Sequence, residues 1–122
     1  MALVEIDRVN IAVIATVTAP VGPVGFISAI AYWNPDTGIW ENQSPNILVG
    51  QKAGVMGYAT NSSKKAVTIR MDATITIPSG GTFGFQGKER EMAAGATETW
   101  AFDFDVLYEG VYGADLVLYA VT

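Results

Sequence analysis

Four acidic residues, Asp103, Asp105, Glu109 and Asp115, lie close together near the C-terminus, and carboxylates at such spacing suggest two kinds of chemistry. Asp103 and Asp105 share one face of an expected strand and offer oxygen ligands of the kind calcium takes. Two acids facing each other across a cleft would suit general acid–base hydrolysis. The sequence favours neither. No Asp-x-Asp-x-Asp-Gly loop is present to wrap an ion, so a solvated strand face is expected and no metal is assigned. No cleft between acids is indicated, so no catalytic residue is assigned.

Aromatic rings give the next signal. Tyr32, Trp33 and Trp40 flank a loop at 34–38, where exposed rings could stack on sugars as a ligand-binding set. Alternation predicts instead that some of these rings enter the core and others form cross-strand pairs, and carbohydrate binding stays the alternative. The stretch Gly80-Gly81-Thr82-Phe83-Gly84-Phe85 precedes no helix and so does not read as a phosphate loop. The sequons at Asn42 and Asn61 matter only in a secreted eukaryotic protein.

Composition removes several classes of function. The 122 residues include no histidine and no cysteine, which excludes a Ser-His-Asp triad, a Cys-His pair and the usual zinc sites. No cofactor is expected. Twelve acidic residues against seven basic ones give a net charge of -5, with the cations spread from Arg8 to Arg90, so nucleic acid is not an expected partner. Only 16% of residues are charged and 50% are apolar, a surface chemistry that suits a chain packing against copies of itself. The N-terminus lacks the positive start of a secretory signal although residues 11–19 are apolar. Membrane insertion is not expected either, because Pro20, Gly22, Pro23 and Gly25 interrupt the uncharged run over 9–35.

The elements that must position these residues are strands. Residues 67–77 alternate without a fault, with Val67, Ile69, Met71, Ala73, Ile75 and Ile77 on one side and Thr68, Arg70, Asp72, Thr74 and Thr76 on the other. A period of two predicts a strand with an apolar face on the core and a wet face in solvent. Further strands are expected over 4–18, 26–33, 39–41, 47–49, 54–60, 83–85, 89–92, 99–106 and 111–121, with turns at 20–23, 34–38, 61–65, 78–81 and 93–96. No window sustains helical spacing. The pattern predicts an all-β antiparallel sandwich, immunoglobulin-like or jelly-roll-like, as a single domain in which 1–46 add N-terminal strands to a core over 47–122. The strands over 10–18 and 111–119 are apolar on both rows, which implies either cover from within the chain or contact with another subunit.

Residues 47–120 resemble the bacterial and archaeal immunoglobulin-like sandwich modules of the adhesion-related, CARDB-like type. The resemblance rests on an Asn-rich turn (Tyr58-Ala59-Thr60-Asn61-Ser62-Ser63) and a Pro-x-Gly turn closing the long strand (Ile77-Pro78-Ser79-Gly80). It continues in a small-residue Gly turn before an aromatic strand (Ala94-Gly95-Ala96-Thr97-Glu98-Thr99-Trp100) and in Gly110-Val111-Tyr112 leading into the last strand. The resemblance implies adhesive, spacer or assembly roles, a structural part for Trp100, and a tyrosine corner at Tyr112 whose ring enters the core while its hydroxyl bonds backbone across the sandwich. Taken together, the sequence predicts a non-enzymatic, self-associating structural subunit of a virion, filament or surface array. Its expected partners are copies of itself or other assembly subunits, with carbohydrate as the alternative, and its compartment is left open between a virion and an extracellular assembly.

Overall fold

The computed structural model describes residues 3–11, 15–16 and 24–121, which form strands and turns with no helix among them. In chain order the strands are β1 (Leu3–Ile11), β2 (Ala15–Thr16), β3 (Phe26–Asn34), β4 (Ile39–Glu41), β5 (Lys52–Thr60), β6 (Val67–Thr76), β7 (Thr82–Phe85), β8 (Arg90–Met92), β9 (Thr97–Asp105) and β10 (Gly113–Val121). They make two antiparallel sheets. One runs β2-β1-β10-β6-β7 with β8 also paired to β6, and the other runs β4-β3-β5-β9. The chain is thus an all-β sandwich. The expected turn at 20–23, and the paired side-chain rows expected over 10–18, lie outside the described residues.

The core forms where the two apolar rows meet. Ile69, Met71, Ala73 and Ile75 of β6 and Leu116 and Leu118 of β10 are buried against Val55 and Ala59 of β5 and Trp100 and Phe102 of β9. Each large aliphatic side chain removed from water contributes roughly 1.5–3 kcal/mol. Gly57 sets the closest approach of the sheets, because a Cβ there would run into the Met71 sulfur and lie 3.3 Å from Leu116 Cδ1. The described strands of the N-terminal part are laid into both layers: β1 pairs with β10, and β3 sits between β4 and β5 with Ile27 in the core.

Two expectations need correction. Residues 47–49 form no strand, because local bonds replace a ladder: Leu48 N–H donates to Gln51 Oε1 at 2.9 Å, and Gly50, at φ +98°, donates to Val106 O at 2.8 Å. The outer row of β6 is wet only in part. Arg70 is 9% exposed, its Nη2 lies 2.8 Å from Asp72 Oδ2, and its guanidinium stacks 5.5 Å from the Tyr119 ring of the neighbouring strand. The loop at 86–89 presses on β6 beside them, with Gly87 N–H donating to Asp72 Oδ1 at 3.0 Å, while Thr74 and Thr76 remain exposed as expected. Of the two alternatives for the outer row of β10, Val117 takes cover within the chain, being 6% exposed beside its register partner Asp72 on β6.

One end of the sandwich is closed by a buried amide. Asn61, 0% exposed, follows β5 directly; its Nδ2 donates to Met92 O and Lys65 O at 2.9 Å, and its Oδ1 accepts from Ser63 N–H and Oγ–H. Its backbone exchanges bonds with Gly95 and Ala96, tying the Asn-rich turn to the Gly turn before β9. A buried polar group bonded this fully fixes the relative placement of both turns.

Candidate functional site

Two places have the shape of a binding site. The first is the outer face of the four-stranded sheet. Trp33 of β3 pairs directly with Trp40 of β4 across the hairpin whose tip Asn34 and Gly38 close by a 2.8 Å bond. Their rings meet edge to face, with centroids 5.4 Å apart and planes at 61°. Gly54 of β5 lies beside Trp33, and a Cβ there would sit 2.9 Å from Trp33 Cβ and 3.0 Å from Trp40 Cη2. Asp103 of β9 pairs with Gly54 in turn. The order across the sheet is therefore two indoles, a glycine, then a carboxylate. Trp33, Trp40 and Asp103, with Lys52, Ala101 and Phe102, line a shallow depression of about 380 Å³.

Asp103 and Asp105 share this outer face, as alternation requires, and both face Lys52, whose Nζ lies 3.3 Å from Asp105 and 4.0 Å from Asp103. The ammonium takes the place a cation would hold between them. Among the described residues no group of three or more acids is gathered to bind a metal.

Tyr32 parts company with the tryptophans. One residue from Trp33, it points to the opposite side of the sheet, packs against the core and lines the second site. That site is a cleft of about 580 Å³ where the sheets splay at the end of the sandwich opposite Asn61. Tyr32, Val55, Phe104, Val106 and Tyr112 form walls, and the loops at 42–51 and 106–112 form the mouth. Burial holds the Tyr32 hydroxyl above the ordinary tyrosine pKa, because the phenolate would lose hydration there. The mouth is apolar. Leu48 is 68% exposed and Val111 61%, with Val49 and Tyr108 exposed alongside.

Tyr112 acts locally. Its half-buried ring packs against the edge of the core, 5.5 Å from Phe104, and its hydroxyl accepts from Tyr108 N–H at 3.1 Å and donates to Tyr108 O at 3.2 Å. The bond thus closes the 108–112 loop and does not cross the sandwich. Trp100 is buried with its Nε1–H donating to Lys88 O at 2.7 Å, which ties the loop at 86–89 to the opposite sheet. Gly54, Lys52 and the apolar mouth escaped sequence reasoning. Gly54 carried a signal, since a lone glycine inside a strand marks close approach of a neighbour.

No family model matches the sequence, and no curated protein matches it. Among solved structures the chain is similar to the Pseudomonas fluorescens alkylpurine DNA glycosylase AlkC bound to DNA containing an abasic site analog, at 16% identity and a TM-score of 0.44. That likeness covers 52% of this chain and 19% of the glycosylase chain, and carries no argument about function. Among the described residues no helix is long and apolar enough to cross a membrane.

Proposed function

We propose that this protein is a non-enzymatic structural subunit that associates with copies of itself through the open end of its sandwich, as a part of a virion, filament or surface array would. The observation that carries the reading is the cluster of Leu48, Val49, Tyr108 and Val111, exposed on two loops around one cleft. Apolar side chains scattered singly on a surface need no partner, but a cluster rimming a cleft gains free energy when covered. The cleft holds Glu109 as its one carboxylate among the described lining residues, which supports a role without acid–base chemistry. The resemblance of 47–120 to adhesion-related sandwich modules points the same way. Sedimentation velocity over a range of concentrations tests the proposal. Association that rises with concentration and is lost in the Leu48→Asp, Val111→Asp double variant is expected; a strict monomer at the highest concentration would overturn it.

A second reading, carbohydrate binding, is favoured by one specific observation. Trp33 and Trp40 do not enter the core but stand on an outer sheet face beside Asp103 and Lys52. This face and the apolar mouth use different residues, Trp33 excepted, so the two readings are separable by substitution.

A further inference from the structure

We infer that the outer face of the four-stranded sheet takes one uncharged pyranose unit of a soluble glycan, seated in the depression between the Trp33–Trp40 corner and Asp103. The inference rests on the carbohydrate reading and narrows it in two respects, the form of the ligand and its charge.

Form follows from the angle between the rings. A flat crystalline polysaccharide is held by aromatic rings lying in one plane, each against a successive sugar. Trp33 and Trp40 stand at 61° to each other, so one plane cannot meet both. Such a corner can offer the face of one indole to the C–H side of a single ring and the edge of the other to its rim. Gly54 lets the corner form, since a Cβ there would sit 2.9 Å from Trp33 Cβ and 3.0 Å from Trp40 Cη2; the indole of Trp40 lies over the glycine, and Ala101, Lys52 and Asp103 border the open side. A depression of about 380 Å³ lies within the range of small-molecule sites, roughly 300–1,000 Å³.

Charge follows from the far wall. Asp103 and Asp105 face one ammonium, Lys52, which leaves an excess negative charge beside the depression, on a chain of net charge -5. A uronate or a sulfated sugar brought to that wall would be repelled. Hydroxyl groups would not be. An ionised carboxylate accepts hydrogen bonds from sugar hydroxyls, and these charge-assisted bonds are stronger than neutral ones.

The test uses the full chain and follows tryptophan fluorescence during titration with cellohexaose, mannohexaose, chitohexaose and oligogalacturonate, with pull-down on microcrystalline cellulose and chitin in parallel. Saturable binding to at least one neutral oligosaccharide is expected, with none to oligogalacturonate or to either crystalline solid. Trp40→Ala should weaken that binding about tenfold or more, the equivalent of losing one good ring contact. Asp103→Asn should weaken it by a smaller factor. The circular dichroism of the buried Trp100 serves as the check that each variant is folded. Binding to oligogalacturonate or to a crystalline solid would overturn the inference and leave carbohydrate binding standing. Absence of binding to every sugar and solid, or neutral binding unaffected by Trp40→Ala in a folded protein, would overturn both.

Discussion

The two ends of β5 open onto unlike regions. At its C-terminal end Asn61 is wholly buried and each of its amide atoms is bonded; about 30 Å away, at ~3.3 Å per residue, Lys52 borders a loop whose Leu48 and Val49 are exposed. The closed end holds a polar group in the dry interior, and the open end holds apolar groups in water. Each inverts the usual rule. The difference teaches where to look for stability and where for contact: a satisfied buried amide locks the chain to itself, whereas exposed aliphatic groups around a cleft gain only when something outside covers them.

If that contrast holds, substitutions in the closed half will cost folding and those at the open mouth will cost only association. The largest effect is expected at Gly87, where a Cβ would run into the Met71 carbonyl and displace the loop that bonds Asp72 and Trp100. Gly87→Ala should lower stability by about 3 kcal/mol in urea titration. Asn61→Ala comes next. It strands the carbonyls of Met92 and Lys65 and should cost about 2 kcal/mol by the same measurement. The Leu48→Asp, Val111→Asp double variant should change stability by less than about 0.5 kcal/mol per site while abolishing concentration-dependent association, and a large loss of stability there would erase the contrast.

The smallest effect is confined to alkaline solution. Folding holds Tyr32 protonated above the usual tyrosine range, so the stabilisation is fully present below pH 10 and is lost as pH rises through the folded value. Tyr32→Phe should therefore show a shallower alkaline fall in melting temperature than the parent. Equal slopes would mean that water reaches the cleft wall freely.

Legibility from sequence divided along physical lines. The alternation over 67–77 placed Ile69, Met71, Ala73 and Ile75 in the core correctly, because the inner face of a strand depends only on period and hydrophobicity. The same alternation misjudged Arg70, whose cover comes from Tyr119, 49 residues away in the chain, and from a loop that no local pattern announces. The loop 34–38 and strand Ile39–Glu41 were readable from Asn-Pro-Asp-Thr-Gly. Residues 47–49 were not, because three apolar residues in a row read alike in a strand and in an exposed loop rim. Nearness in sequence groups Tyr32, Trp33 and Trp40; in a strand adjacent residues point to opposite faces, so Tyr32 packs toward the core while Trp33 and Trp40 pair on the outer face.

By itself the sequence determined that the chain is all-β, that it has no histidine or thiol chemistry, and which rows of its long strands face inward. Those properties are local or compositional. Only the tertiary structure decided that Gly54 joins the tryptophans to Asp103, that Asn61 seals one end, and that the exposed apolar residues of two distant loops share one mouth. Cross-strand register and sheet packing bring these groups together, and both depend on contacts between residues far apart in the chain.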